Sequence, residues 1–193
     1  MKISLNWLKE YLGEIKDKEK LLANLTSIGL EVDNKTKLKK DTISDIDMTP
    51  NRADCLSVIG IARDVGTIYR KKVIIPRVTK LIKNSKSYIK SVNKKISTSY
   101  SILAIEDFDN TIATPKYISE RLKASGVSEI NFIVDVLNYV MLEIGPPMHV
   151  FDKSKLDGKI MVRFAKVGDT INALDGKDYS LSPDIPVIAD NTR

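Results

Sequence analysis

Cysteine and histidine are nearly missing from this chain. Of 193 residues, one is cysteine, Cys55, and one is histidine, His149. A single cysteine excludes an intramolecular disulfide and points to a reducing compartment. One Cys and one His together exclude a Cys/His zinc site. Aromatic residues make up 6% of the chain, too few for a base-stacking sheet. No run of about 20 apolar residues occurs and the N-terminus has no signal-peptide apolar core, so the expectation is a cytoplasmic chain without a membrane partner. Glycine is sparse as well. Gly60 and Gly66 lie inside a helical pattern and not in a phosphate-cradling loop. No carboxylate cluster has metal-loop spacing, no nucleophile motif accompanies His149, and no internal repeat is present.

What remains is ordinary globular material, 42% hydrophobic and 29% charged, with room for one large or two small domains. Lysine plus arginine exceeds aspartate plus glutamate by 31 to 25, and the net charge of +6 favours an anionic partner such as nucleic acid. The lysines concentrate in 35–40 and 80–95, which read as solvated segments.

In chain order, Met1–Leu5 reads as a short strand or tight lead-in. Asn6 is placed to cap a helix through Leu12, with Trp7, Leu8, Tyr11 and Leu12 on one side. Asp17 caps a second helix with the stripe Leu21, Leu22, Leu25 and Ile28, closed by Gly29. Leu30–Val32 reads as a strand, Asp33–Lys40 as a polar loop and Thr42–Met48 as a half-exposed strand. Thr49–Asp54 is a turn in which Asn51, Arg52 and Asp54 have a structural role, with Arg52 gripping a carboxylate in two-pronged fashion. A helix follows from Cys55, then an edge strand Val73–Pro76. Arg77–Thr98 looks like a boundary containing a strand at Tyr88–Val92. Ser99–Asp107 reads as a strand, and Thr114-Pro115 as a cap with proline at the first helical position. Lys159–Phe164 and Pro186–Asp190 read as strands, and Leu174–Lys177 as a hairpin turn.

The most distinctive stretch is Asn131–Asp152. Asp135 can cap a helix whose apolar residues Val136, Leu137, Val140, Met141 and Ile144 suit burial, and Gly145 ends it. Pro146-Pro147 then forbids continuation and fixes where Met148, His149 and Phe151 stand. Local chemistry leaves two readings open. His149 is a structural residue on a proline turn, or it joins buried Asn138 and the prolines in a polar pocket, where Asp152 could orient it.

Three blocks in this order resemble the N-terminal part of bacterial phenylalanyl-tRNA synthetase beta subunits. They are MKISLNWLKEYL (Met1–Leu12) with Gly29–Val32 after it, TPNRADCLSVIGIARDV (Thr49–Val65), and ASGVSEINFIVDVLNYVMLEIGPPMHVFD (Ala124–Asp152). Leu156, Gly158, Val162-Arg163 and Leu174-Asp175-Gly176 continue the match. The resemblance implies an α+β fold in two domains. The first spans 1–76, with a short loop at 33–40 where the family inserts an oligonucleotide-binding barrel. The second spans 77–193 and is a mixed α+β editing-type (B3/B4-like) domain, incomplete at its C-terminal end. It also implies a partner alpha subunit in a heterotetramer, tRNA as ligand, and ATP and magnesium as cofactors of the complete enzyme but none in this chain, which alone lacks aminoacylation activity. By the same resemblance His149, with Met148, Pro147 and Asn138, lines a pocket that hydrolyses tyrosine wrongly attached to the phenylalanine tRNA. The chain departs from the family pattern at Pro146 (glutamine in the family), Leu137 (threonine) and Leu103 (arginine).

Overall fold

The computed structural model describes residues 1–38, 40–79 and 87–192. The fold is α+β, and it separates into two compact units, Met1–Val78 with Asp109–Val150, and Thr79–Phe108 with Phe151–Arg193. The division of the sequence at Pro76 follows family segments. Packing instead groups 109–150 with the N-terminal residues.

Unit 1 begins with strand β1 (Lys2–Ser4) and helix α1 (Leu5–Leu12). Ser4, not Asn6, caps α1, because its Oγ reaches the Trp7 amide at 3.0 Å while the Asn6 side chain reaches back to the Lys40 carbonyl. Helix α2 (Lys18–Ser27) has the expected Asp17 cap and buries Leu21, Leu22 and Leu25. Gly29, at φ +87, turns the chain into strand β2 (Glu31–Lys37). The polar loop expected at 33–40 is thus mostly strand. Its side chains are exposed, but its backbone pairs with strand β3 (Thr42–Asp47) as far as Lys37 opposite Thr42. Backbone pairing overrode the composition, which reports solvent exposure and not hydrogen bonding. β3 is the central strand of the antiparallel order β1-β3-β2, so Thr42, Ile43, Ser44 and Ile46 are buried where half exposure was expected.

A 3-10 turn (Ala53–Cys55) leads to helix α3 (Val58–Ile68), which starts three residues later than the hydrophobic pattern and is capped by Ser57. Val73–Pro76 forms no strand; the Ile74 amide donates to the Tyr11 carbonyl as a single tie. Helix α4 (Lys116–Ala124) has Pro115 at its cap position and no side-chain cap, since Thr114 is engaged elsewhere. Helix α5 (Phe132–Ile144) starts four residues before the sequence reading placed it. Its cap is Asn131, bonded to the Val134 amide at 3.1 Å. Asp135, expected as the cap, is instead buried in the first turn. It accepts from the Ile130 amide at 2.9 Å and from the Thr114 hydroxyl at 2.6 Å.

The core of unit 1 joins Ile3, Leu5, Trp7, Leu8, Tyr11 and Leu12 to Leu21, Leu25, Ile46, Cys55 and the α3 residues Val58, Ile61 and Val65. Helix α5 meets it through Tyr139 and Leu142. The side of α5 that packs on this core is therefore marked by the half-buried Tyr139 and Leu142, with Asp135 its one buried residue, and not by the 136/137/140/141/144 stripe that the apolar spacing suggested. The latter residues are half-buried or, at Ile144, 46% exposed. A helix that is apolar nearly all round cannot report which side meets the core.

Unit 2 holds strands β4 (Ile89–Val92), β5 (Ile160–Phe164) and β8 (Pro186–Ala189) in that spatial order, with β4 parallel and β8 antiparallel to β5. Ile160, Val162, Ala165 and Ala189 are its buried apolar residues. Strands β6 (Thr170–Asn172) and β7 (Asp178–Ser180) form the expected hairpin. Ser99–Asp107, read as a strand, has no regular structure, and of the boundary segment 77–98 residues 80–86 lie outside those described.

Gly60 marks a close approach inside α3. A Cβ there would stand 2.0 Å from the Asp54 carbonyl oxygen. Alanine in a helix interior normally stabilises by about 1 kcal/mol over glycine. Here Gly60→Ala should reverse that sign and destabilise by about 2 kcal/mol, as overpacking does, seen as a lower urea midpoint. Gly66→Ala, 2.9 Å from the Lys71 carbonyl oxygen, should cost less.

Candidate functional site

Gly145 ends α5 at φ +100, a left-handed value that suits glycine, and Pro146–Val150 continue without regular structure. Pro146, Pro147, Met148 and His149 are all exposed, and Asn138 is half-buried, not buried as the pocket reading required. Two open hollows of unit 1 lie elsewhere, along α2 and the β2–β3 hairpin. Asp152 caps a 3-10 turn (Lys153–Lys155), accepting from the Ser154 amide at 3.0 Å and the Ser154 hydroxyl at 2.7 Å. Leu103 is 58% exposed.

The second cluster grows from the turn after β3. The Arg52 amide donates to the Thr49 carbonyl and the Cys55 amide to the Arg52 carbonyl, which winds the turn tightly. Arg52 then grips Asp54 with Nε at 3.0 Å and Nη2 at 2.9 Å, and the same Nη2 reaches Asp64 of α3 at 2.5 Å. Cys55 Sγ lies 2.7 Å from it. Through Arg52 this geometry ties the turn to α3; Asn51 is exposed in the turn. Asp54, Cys55 and Asp64 bring their ligand atoms within 4.8 Å of one another. That donor set does not fit a metal ion, because the Arg52 guanidinium already supplies the cation among them. The bond from Arg52 lowers the Asp54 carboxyl to about 2. Burial, with Asp64 nearby, pushes the Cys55 thiol up to about 12 and keeps it protonated.

The third cluster was not foreseen in the sequence. Arg121 of α4 lies over the Trp7 ring at 4.8 Å, near Tyr139 at 5.7 Å and Tyr117 at 5.9 Å. It donates to the Tyr139 hydroxyl at 2.6 Å and pairs with Glu10. Tyr139 stacks on Trp7 with centroids 4.9 Å apart. Tyr11 donates to Glu143, and burial followed by that bond raises the Tyr11 hydroxyl far above its usual range. Burial lifts the Tyr139 hydroxyl to about 12. The i,i+4 pairs Tyr117/Arg121 and Tyr139/Glu143 are visible in the sequence, but nothing there shows that both meet α1. These bonds and ring contacts tie α1, α4 and α5 together.

The B3/4 domain matches residues 97–193, half of the chain. The chain belongs to the B3/4 domain family. Among curated relatives of this B3/4 chain, the phenylalanine–tRNA ligase beta subunit of Francisella tularensis subsp. tularensis (strain SCHU S4 / Schu 4) is 40% identical over 169 residues, covering 86% of the chain and 21% of the relative. The beta subunit of Dickeya dadantii (strain 3937) is 39% identical over 169 residues, with 86% and 21% covered. That of Hahella chejuensis (strain KCTC 2396) is 36% identical over 184 residues, with 94% and 23% covered. The chain thus spans about a fifth of the length of the relatives it matches. A crystal structure of an N-terminal fragment of the phenylalanyl-tRNA synthetase beta-subunit from Pyrococcus horikoshii aligns with 99% of this chain and 58% of that one, at 14% identity and a TM-score of 0.46. No helix among the described residues is long and apolar enough to cross a membrane.

Two outcomes are expected at the Arg52 cluster. Cys55 in the folded chain should react with iodoacetamide at pH 8 roughly a hundredfold or more slower than in urea, because so little thiolate is present. Asp54 titrates below its unfolded value of about 3.9. Its ionised form therefore supports the fold above that value, and the support fades as pH falls toward about 2. Asp54→Asn should flatten this part of the acid-unfolding curve.

Proposed function

We propose that this chain serves as the N-terminal part of a phenylalanine–tRNA ligase beta subunit. In that role it supports attachment of phenylalanine to its tRNA in the cytoplasm, in a heterotetramer with an alpha subunit. ATP and magnesium would act on the alpha side. Among the described residues of this chain the one compact carboxylate–thiol group is already occupied by Arg52, which pairs with both carboxylates, and no phosphate loop is present. The observation that carries the reading is 40% identity over 169 residues to a beta subunit, together with membership of the B3/4 family.

Within that role the B3/4 segment belongs to an editing-type domain related to hydrolysis of tyrosyl-tRNA, but this chain by itself acts without editing. What supports the second part is exposure. Pro147, Met148 and His149 are exposed and Asn138 is half-buried, so these side chains do not enclose a tyrosyl group. Rejecting or accepting one hydroxyl requires buried polar groups with no water to compensate them. The alternative role is a non-catalytic structural or tRNA-binding module, which the same exposure favours over an independent hydrolase.

Two measurements test this. A chimera in which the chain replaces the matching region of the Francisella beta subunit should assemble with its alpha subunit and charge phenylalanine tRNA. A folded chimera that assembles but does not charge would overturn the proposal. The chain alone should release tyrosine from tyrosyl-tRNA of the phenylalanine type no faster than buffer does. Rapid release that disappears in His149→Ala would show that it edits unaided.

A further inference from the structure

From the β2–β3 hairpin of unit 1 we infer that the groove between this hairpin and the start of α2 binds the phosphate backbone of RNA. The groove is about 420 Å³ and is lined by Lys18, Lys37, Lys40 and Thr42 together with Glu19 and Asp41. A second hollow of about 300 Å³ shares Glu19 and Leu22 with it and adds Asp33 and Lys35. The inference names a surface for the tRNA-binding role above, yet it does not depend on charging, because a backbone is what the groove is suited to grip.

Three of the neighbouring acids, Asp17, Glu19 and Asp41, are engaged with other groups. Asp17 accepts from the Lys20 amide at the start of α2. Asp41 accepts from the amides of Asn6 at 3.0 Å and Thr42 at 2.7 Å and from the Ser4 hydroxyl. Glu19 pairs with Lys35, whose ammonium holds its carboxyl below the usual range, with Lys37 adding to the effect. Lys37 and Lys40 are exposed and make no salt bridge among the described residues, and Lys18 Nζ has only the Thr42 hydroxyl, at 3.5 Å. Three ammonium groups therefore face the groove with donors to spare.

The backbone that carries Lys37 and Lys40 is also tied down. Leu38 and Asp41 exchange backbone hydrogen bonds of 2.9 and 3.3 Å across the turn, and Asn6 Nδ2 donates to the Lys40 carbonyl at 2.6 Å. Lys35 and Lys37 alternate along a paired strand, about 7 Å apart by strand rise. Ammonium groups on flexible stems, carried by a paired backbone, suit a run of phosphates, and binding releases counterions in proportion to the phosphates neutralised. No aromatic residue lines either hollow, so base stacking is not available and binding should be indifferent to sequence. A bilayer surface is the poorer fit, because the groove is concave and Leu38 is the one exposed large apolar residue lining it.

The test uses the full chain, a fluorescent transcript of phenylalanine tRNA and an unrelated RNA hairpin, with anisotropy read from 50 to 200 mM salt. Both RNAs should bind with a steep negative slope of log K against log salt. The triple substitution Lys18→Gln, Lys37→Gln, Lys40→Gln should weaken both at least tenfold at low salt and flatten the slope by about 2 to 3. Lys159→Gln, Lys166→Gln, Lys177→Gln removes the same charge and should leave the slope within experimental error. Equal losses in the two triples would reduce the effect to net charge and overturn the inference. So would binding to phosphatidylserine vesicles that the groove triple abolishes while RNA binding persists. If the groove triple fails to fold by circular dichroism, the exposed single variants Lys37→Gln and Lys40→Gln decide the matter, each expected to lower the slope by about 1.

Discussion

Unit 1 depends on where one guanidinium can be put. Arg121 is mostly withdrawn from water, and a charge in that position must be paired and covered or it destabilises the fold. Its edge is satisfied by Glu10 and the Tyr139 hydroxyl, and its faces lie against aromatic rings. A lysine could not do both, since it lacks the flat face and the fork. The groups that answer these needs come from three helices: Glu10 and Trp7 from α1, Tyr117 from α4, Tyr139 from α5. Satisfying one cation thus sets the angles of all three, and the direction of α5 determines where Gly145 releases Pro146–Val150. The same cluster contributes the Trp7–Tyr139 stack, an aromatic pairing of about 0.5–1.5 kcal/mol beyond burial.

Much of this was legible in the sequence, and the divisions are informative. Local signals held where a side chain served its own segment. Asp17 caps α2, Gly29 and Gly145 end helices, Arg52 grips Asp54, and the hairpin around Asp175-Gly176 forms. They failed where a distant partner competed for the same group. Thr114 could have capped α4, but its hydroxyl went to Asp135; Asp135 could have capped α5, but it was drawn into that bond and Asn131 took the cap. Asn6 lost α1 to Ser4 in the same way. Each candidate cap had the right chemistry, and long-range geometry chose among them.

The site residues divide along the same line. Family resemblance singled out Pro147, Met148, His149 and Asn138, and periodicity placed the helix before them on the buried side. The periodicity misjudged the stripe because α5 is apolar on nearly every face, so only the Tyr139 and Leu142 contacts could orient it. The Arg52 turn was legible because its partners are 2 and 12 residues away on one continuous motif. The Arg121 cluster was not, because its partner Glu10 lies 111 residues away and Trp7 farther still. The lysines of 35–40 were visible as charge, yet only strand pairing reveals that Lys35 and Lys37 stand on a paired strand and not on a loose loop.

The parallel pairing of β4 with β5 joins residues near 90 to residues near 160, and the chain between them leaves unit 2 to complete unit 1. The backbone therefore crosses between the units three times, at 78/79, 108/109 and 150/151. During synthesis from the N-terminus, α5 must emerge before the first unit can close, while Ile89–Val92 wait for a partner strand not yet made. A nick at any one crossing would leave two remaining, so a protease could cut the linker without separating the halves. Nor can either unit be excised as one continuous peptide. The order of the chain thus makes the two units a single folding problem, whatever distance separates them in space.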